Sequence, residues 1–267
     1  MKIDPSVLRA VNNYNNAVKS LAATSEKLSS GSRIFRAAND SSSMVINAKL
    51  RAQLNGLQQA ARNAQEGIGV VNVADGALGS IFDHLTRVRE LAVGAANTGF
   101  HDADSRAAFD VEAQQLVDSA NHIAEKTAYA ATKLLDGSYS GQSFMIGDSG
   151  ANVLSLSIAD SRATALGIAS LDLAGNASSA ITAIDAAIST ISSRRADLGA
   201  VASRFSSTVQ LLNNAVENLS SASSRLADAD IVKTAAQFQR DKVMLQNSSR
   251  AIDRAMANTV QVLRVVK

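Results

Sequence analysis

Hydrophobic residues recur along the first thirty residues with alternating spacings of three and four. They are Val7, Val11, Tyr14, Val18, Leu21 and Leu28. This heptad spacing predicts a helix whose apolar side forms a narrow seam against a second helix. Pro5 stands where a first helical turn tolerates a missing N–H, and Gly31 suits the helix end. The pattern therefore predicts a first helix that ends near residue 30.

A longer pattern of the same spacing runs from Leu50 to Leu85, with Asp75 as its one polar misfit. It predicts a single helix over about 42–98. Such a helix would be on the order of 80 Å long, at ~1.5 Å per residue. A compact domain of this chain length has a radius of gyration of only ~18 Å, so the pattern indicates an elongated rod.

The middle of this second helix contains Gly67, Gly69, Gly76 and Gly79. Each costs about 1 kcal/mol relative to alanine in a helix interior. Either they soften the helix locally, or a neighbouring backbone approaches closely at these positions.

The rest of the chain continues the helical pattern with one interruption. A third helix is predicted over 104–129, and a fourth, with Arg195 as a misfit in its seam, over 177–219. Between them, dense turn formers accompany two short apolar runs, which predicts one β-hairpin over about 140–160.

A final heptad seam extends almost to the last residue of the sequence. Its members include Ile231, Phe238, Leu245, Ile252, Met256 and Leu263. Chain ends normally fray, so a seam that continues this far predicts an end that is buried against other chains.

Together these patterns predict a mainly α fold, an elongated rod of long antiparallel helices with heptad seams plus one small β-hairpin. The terminal helices are expected to pair as a coiled coil. The predicted parts are an N-terminal helix with a connecting segment over 1–41, a central rod over 42–222, and a C-terminal helix over 223–267.

The composition supports helices and excludes several classes of protein. The chain is 46% hydrophobic but only 4% aromatic, and it contains one proline and no cysteine. It is too apolar for disorder and cannot form disulfides or a thiolate metal site. No run of about 18 residues is free of charge and strong polarity, and the N-terminus lacks the apolar segment of a secretory signal. We therefore expect no membrane insertion, and either a cytoplasmic location or exit from the cell without a cleaved signal.

Charge divides the chain into parts although the net charge is only +2. Residues 1–33 carry five basic and two acidic groups, and residues 225–267 carry eight and four, which leaves the middle at −5. The basic ends and the acidic middle would attract one another between molecules, or they form a mixed, solvated surface. A net charge this small does not indicate a nucleic-acid partner.

No arrangement of residues points to catalysis, a metal or a cofactor. The three histidines, His84, His101 and His122, lack metal-ligand spacing. The glycines of segment 67–69 lack the third glycine of a dinucleotide fingerprint, because Asn72 stands in its place. Neither a nucleophile elbow nor a phosphate-binding loop occurs. The chain is therefore not expected to be an enzyme.

Several short motifs resemble those of bacterial flagellins. They are the segments Leu28–Ile34, Ala37–Asp40, Arg62–Ile68, Ala74–Leu78, Leu85–Val93, Lys133–Gly137, Arg195–Ala200, Glu217–Leu219 and Ser224–Asp230. The C-terminal segment Val260–Arg264 resembles the family's ending without its proline. The chain departs from the family pattern at Asn39, where aspartate is usual, and more widely over 240–258.

The resemblance implies a subunit of the flagellar filament, a helical homopolymer used for swimming. Such chains leave the cell unfolded through the flagellar export apparatus, with a secretion chaperone, and meet hook-associated and cap proteins at the extracellular filament. The terminal helices would line the inner core as a coiled coil, and the central helices would form the outer tube. Between Leu135 and Ile181 there is room only for the hairpin, which implies a filament of core domains alone.

The resemblance also implies a receptor surface at Arg87, Leu91 and Glu112. These match positions that a Toll-like receptor of animal innate immunity reads on flagellin monomers. Arg87 and Leu91 are four residues apart and so share a helix face, and Glu112 would lie on the neighbouring antiparallel helix. The same face would also be an assembly contact, or these residues serve subunit packing alone.

Two other classes of protein stay open at this point. One is a hook–filament junction protein, which shares the terminal pattern, although the motifs within residues 62–78 favour the filament subunit. The other is an enzyme on a helical scaffold, for which no constellation of residues is found. The serine-rich hairpin could accept sugars, but no spacing requires it.

Overall fold

The structure, a computed structural model, describes the backbone of residues 5–265 and the side chains of residues 5 and 7–257. Five helices account for most of it: α1 (Pro5–Ser30), α2 (Ser41–Ala96), α3 (Ala103–Lys126), α4 (Leu173–Ala227) and α5 (Ile231–Val265). Four short strands form two antiparallel pairs, β1 (Ala128–Tyr129) with β2 (Thr132–Lys133) and β3 (Gln142–Met145) with β4 (Val153–Leu156). The predicted mainly helical fold with a small hairpin near residues 140–160 is confirmed.

The residues group by their contacts into two compact units. Unit 1 comprises Met1–Leu54 and Glu217–Lys267, and unit 2 comprises Asn55–Val216. Helices α2 and α4 therefore contribute to both units. The predicted parts divide instead at 41/42 and 222/223, near the expected helix ends, and their functional division stays a prediction.

Asn176 lies directly before the predicted start of the fourth helix at residue 177 and interrupts α4 there. Its backbone is non-helical, with φ −143° and ψ 62°, although it lies within α4. Its side-chain oxygen accepts a hydrogen bond from the Ser179 N–H at 3.2 Å, as an N-cap residue does. The continuous helix thus begins one residue later, and it extends to Ala227, beyond the predicted end at 219.

Unit 2 has a continuous hydrophobic core built from α2, α3, α4 and the β3–β4 hairpin. Its largest fully buried side chains include Leu78, Ile81, Leu85, Ile184, Ile191 and Phe205. Phe144 of β3 packs edge-on against Phe205, with ring centroids 5.3 Å apart. Asn63 Nδ2 of α2 donates a hydrogen bond to the Met145 carbonyl at 2.9 Å. The hairpin is thereby held against both long helices.

The polar misfits in the seams of α2 and α4 pair with each other. Arg195 Nε and Nη2 donate to Asp75 Oδ1 and Oδ2 at 2.8 and 3.3 Å. A second pair of opposite polarity joins Arg89 Nε of α2 to Asp185 Oδ1 of α4 at 2.6 Å. Residue numbers rise along α2 as they fall along α4, so the two helices are antiparallel. Sliding α4 by about ten residues would bring Asp75 toward Asp185, and the repulsion of like charges disfavours that register.

The third helix ends earlier than the predicted residue 129, at Lys126. Thr127 closes it, because its N–H and its hydroxyl both donate to the Ile123 carbonyl. Residues 128–133 then form the β1–β2 hairpin, which was not predicted. The two alanines at its turn have positive φ values of 45° and 72°. Turns of this kind favour asparagine and glycine, so an Ala-Ala turn in an alanine-rich chain shows no turn signal.

Gly67 is the α2 glycine that a neighbouring side chain approaches most closely. A Cβ at this position would lie 2.7 Å from Phe205 Cζ, and one at Gly69 would lie 3.3 Å from the Tyr129 hydroxyl. A Cβ at Gly76 would meet no atom within 4 Å. The close approach at Gly67 is therefore made by a buried aromatic ring and not by a backbone.

We expect Gly67→Ala to destabilise unit 2 by about 1–3 kcal/mol, because the added methyl group overpacks against the Phe205 ring. Gly76→Ala is the matched control, and its higher helix propensity should raise the free energy of unfolding by up to about 1 kcal/mol. Urea denaturation of the two variants measures both changes. Equal stabilities would contradict the packing of Phe205 against α2.

Candidate assembly interface

Helices α1 and α5 pack side by side and antiparallel within unit 1. A short backbone ladder joins the end of one to the start of the other. The Arg33 N–H donates to the Ala227 carbonyl at 2.7 Å, and the Ala229 N–H donates to the Gly31 carbonyl at 2.8 Å. The predicted pairing of the terminal helices is confirmed.

The seam between α1 and α5 uses a different set of positions from the predicted one. The heptad positions of α1 that are buried or half-buried are Val7, Ala10, Tyr14, Ala17, Leu21, Thr24 and Leu28. Those of α5 are Thr234, Phe238, Asp241, Leu245, Ser248, Ile252 and Ala255. Every second observed position, such as Tyr14 and Leu21, is also a predicted one. Each observed position between them lies one residue before the predicted one, as Ala17 does in place of Val18. Of the other predicted members, Val11 is half-buried, and the side chain of Leu263 lies outside the described residues.

Val18, Ile231 and Met256 are wrong as seam residues, because all three are exposed. Ala17, which is 3% exposed, occupies the place expected for Val18. Small side chains at every second seam position let two helices approach closely, since the distance between helix axes depends on the side chains at the contact. The larger neighbours then lie on the outside of the pair.

Thr24 and Asp241 form a buried polar pair in this seam. Thr24 Oγ1 donates to Asp241 Oδ2 at 2.7 Å, and Gln237 Nε2 donates to Asp241 Oδ1 at 2.9 Å. Asp241 is only 1% exposed. Burial raises the pKa of its carboxyl, but hydrogen bonds from Thr24, Gln237 and Ser20 outweigh burial and hold the pKa below its ordinary value. Asp241 is therefore charged at neutral pH, with its charge satisfied by neighbouring donors.

Sequence reasoning did not assign either residue to the seam. A signal was present, because Thr24 lies in phase with Ala10 and Ala17 at intervals of seven. A search for large apolar residues chooses Val11 and Val18 instead, one position later. Only the paired helix shows which of the two neighbouring positions faces inward.

Unit 1 leaves much of its apolar surface exposed. Its exposed large hydrophobic residues are Leu8, Val18, Met44, Val45, Ile46, Ile231, Val232, Val243, Met244 and Met256. Among the described residues of this unit, the fully buried apolar side chains are those of Ala17 and Ala227 alone. Val232, Ala236 and Val243 form an apolar stripe on the side of α5 opposite the seam. An exposed apolar surface of this extent marks a site of association.

A basic cleft of about 380 Å³ opens where α1 ends and α5 begins. Its charged lining residues are Lys27, Arg33, Arg225, Asp228, Asp230 and Lys233. In the part of the chain that the structure describes, Lys27, Arg225 and Lys233 form no salt bridge. The cleft therefore has an excess of positive charge, as expected for the basic ends of the chain.

Arg87 and Glu112 lie together on the surface of unit 2. Arg87 Nη2 of α2 donates to Glu112 Oε1 of α3 at 3.0 Å, and Arg87 Nη1 donates to Glu90 Oε2 at 2.9 Å. The Arg87 and Glu112 side chains are 53% and 48% exposed. Leu91 does not join them, because it is 5% exposed and packs into the core of unit 2. The expectation that Leu91 offers an apolar contact beside Arg87 is therefore wrong.

The described residues contain neither a metal-binding cluster nor a membrane-spanning helix. No three histidine, aspartate or glutamate side chains there are placed to hold a metal ion. No helix in the same residues combines the length and apolarity needed to cross a membrane. His101 lies edge-on between the rings of Phe100 and Phe109, with centroids 5.0 Å from each.

Family models match most of the chain. The model of the bacterial flagellin N-terminal helical region matches residues 6–140, and the model of the C-terminal helical region matches residues 181–266. The chain belongs to the bacterial flagellin family. The resemblance seen in the short sequence motifs is thereby confirmed.

Curated flagellins extend the match to nearly the whole chain. A flagellin of Halalkalibacterium halodurans is 36% identical over 96% of this chain and 93% of its own length. A flagellin of Bacillus subtilis strain 168 is 33% identical over 100% of both chains. The flagellar filament 33 kDa core protein of Treponema phagedenis is 33% identical over 98% of both. This coverage supports a core-only member of the family.

Two solved structures resemble parts of the fold. The crystal structure of Bacillus cereus flagellin has a TM-score of 0.51 at 30% identity, covering 56% of this chain and 88% of that chain. A putative flagellar hook-associated protein from Vibrio parahaemolyticus has a TM-score of 0.60 at 10% identity, covering 71% of this chain and 100% of its own. At that identity the second likeness shows the shared fold alone.

Protonation of Asp241 should weaken the flagellin helix pair in acid. Because its folded pKa lies below the unfolded value of about 3.9, its contribution to stability is present above that value and is lost as pH falls through the folded pKa. Hydrogen exchange of the α1 and α5 amides between about pH 5 and about pH 2 measures the loss. Asp241→Asn should show a smaller loss of protection than the parent. An identical loss in both proteins would contradict this role.

Proposed function

We propose that this chain is a structural subunit of the bacterial flagellar filament and polymerises into a helical homopolymer that serves swimming motility. The incomplete burial of unit 1 carries the proposal, because its helix pair leaves large apolar residues exposed on several sides. Association of copies would bury this surface, and a contact between different faces of two copies generates an open helical polymer when its rotation does not close into a ring. Relatives named as flagellins and as a flagellar filament core protein support the same role.

A function as a hook–filament junction protein is the alternative, and fewer observations support it. The hook-associated structure shares the fold at only 10% identity. Both family models and the relatives at 33% and 36% identity are flagellins. The proposed role is structural and involves no catalysis, cofactor or nucleic acid.

The proposal includes an extracellular location in the flagellum, reached without a cleaved signal. Transient partners would be the flagellar export apparatus, a secretion chaperone, and the hook-associated and cap proteins. The absence of cysteine suits a chain that travels extended and assembles outside the cell.

Electron microscopy of the purified protein after salt- or seed-induced polymerisation tests this function. We expect helical filaments from the parent protein. Val232→Ser/Val243→Ser should raise the critical concentration about 100-fold, because each valine loses about 1.5 kcal/mol of burial between copies. Val73→Ser, at an exposed valine of unit 2, is the matched control.

Two results would count against this account. Absence of filaments from the parent protein under every seeding condition would overturn the function. If Val73→Ser raised the critical concentration equally, the outer face of α5 would not be the principal contact between copies.

The exposed Arg87–Glu112 pair is the part of the predicted patch that a Toll-like receptor would read on the monomer. Its support is that two long charged side chains, from two different helices, meet at one exposed surface. Leu91 would act only by packing α2 beneath them. If the same surface is also an assembly contact, polymerisation hides it from a receptor.

Arg87→Asp should reduce receptor signalling by the monomer about tenfold or more, because it places a negative charge beside Glu112 and against an acidic receptor group. Arg89→Asp is the control, since it breaks another exposed pair of the same helix, with Asp185. A receptor-signalling assay on monomers compares them. An unchanged response to Arg87→Asp would mean that the pair serves subunit packing alone.

A further inference from the structure

The seam between α1 and α5 alternates large apolar layers with small ones. Counted in opposite directions from the Thr24–Asp241 contact, the large layers are Leu28 with Phe238, Leu21 with Leu245, and Tyr14 with Ile252. The small layers are Thr24 with Asp241, Ala17 with Ser248, and Ala10 with Ala255. One of these three small layers holds a buried charge.

The large layers do not distinguish one register from the next. If α5 slid by one heptad, Leu21 would face Phe238 or Ile252 in place of Leu245, and either contact is again apolar. A seven-residue repeat keeps residues of the same class in phase after such a slip. Burial of the large side chains therefore favours several registers about equally.

The Thr24–Asp241 layer does distinguish the registers. A slip of one heptad would place Asp241 opposite Ala17 or Gly31, and neither residue has a side-chain donor. The buried carboxylate would lose the Thr24 hydroxyl, keep Gln237 of its own helix, and have Asn13 or Lys27 in the place of Ser20. A buried charge that loses its partner is strongly unfavourable, and single buried polar residues set the register of other paired helices.

We propose that the Thr24–Asp241 hydrogen bond is the specificity-determining contact that sets the axial register of α1 against α5. Register matters because the outer faces of the pair, with Leu8 on α1 and Val243 on α5, form the exposed apolar surface. A slip of one heptad moves these faces past each other by about 10 Å. A second copy would then meet a different surface, and this last step alone rests on the proposed function.

The backbone ladder at residues 31–33 and 227–229 is the competing determinant. It joins the connecting segments at the same end of the helix pair, so a slip of one heptad would also break it. The experiment therefore has to change the polar layer while leaving the ladder intact.

Variants of the polar layer separate register from general stability. Thr24→Ala removes one of the three donors to the buried Asp241 carboxylate and leaves Ser20 and Gln237, and it should reduce protection of the α1 and α5 amides from hydrogen exchange about tenfold or more. In Asp241→Ala the Thr24 hydroxyl keeps the Ser20 carbonyl, 2.8 Å away, as its acceptor. Thr24→Ala/Asp241→Ala makes the layer resemble Ala10 with Ala255, so it should be better protected than Thr24→Ala. Ser248→Ala, in the next small layer, is the control and should behave as the parent.

Disulfide trapping then reads the register directly, because the chain has no native cysteine. Leu21→Cys/Leu245→Cys reports the observed register, and Leu21→Cys/Phe238→Cys reports a slip of one heptad. With Thr24 and Asp241 present, we expect the first cysteine pair alone to oxidise within one chain. In the Thr24→Ala/Asp241→Ala background, we expect both cysteine pairs to oxidise in comparable yield.

Two outcomes would overturn the inference. One is oxidation of the first cysteine pair alone in the double-alanine background, which would assign register to the backbone ladder. The other is a double-alanine variant that is no better protected than Thr24→Ala. Failure of the parent protein to form filaments would count against the proposed function and not against this inference, since the disulfides form within single full-length chains.

Discussion

The chain brings its two ends together in a helix pair that is too narrow to bury its own apolar side chains. The α1–α5 seam alternates large layers with small ones, and its closest layers contain alanine, serine and one threonine–aspartate pair. Two helices cover only one side of each other, so large residues outside the seam face solvent, among them Leu8, Val18, Val232, Val243 and Met244. Most helix stability in proteins comes from tertiary packing. Unit 1 therefore depends on further chains to cover its outer faces.

Unit 2 obeys a different constraint, because its helices and hairpin close a core of large aliphatic and aromatic side chains. Phe205 shows how closely these elements fit: it lies over Gly67 and receives the edge of Phe144. The charge pairs Arg195–Asp75 and Arg89–Asp185 then oppose sliding of α4 along α2. One chain thus contains a unit that is complete by itself and a unit that is completed by association.

Long, strongly periodic segments were the easiest to predict. The helices begin and end within a few residues of expectation where caps or glycines mark the ends, as at Asn176 and Gly31. Prediction failed where a turn lacks turn residues, and where the decisive packing involves residues far away in the sequence. The Ala-Ala turn after Lys126 shows no turn signal of its own, and Leu91 shares a helix face with Arg87 by spacing but lies in the core.

The sequence by itself determined the helical class, the hairpin, the pairing of the two ends and the flagellin family, because heptad periodicity, turn residues and short motifs are local properties of the chain. Only the tertiary structure decided which member of each neighbouring pair, Ala17 or Val18 and Asp241 or Lys242, faces the partner helix. That choice depends on the distance between two helix axes, which side chains on both helices set together. Thr24 and Asp241 are 217 residues apart in the sequence, so the residue pattern of one helix alone does not predict the hydrogen bond between them.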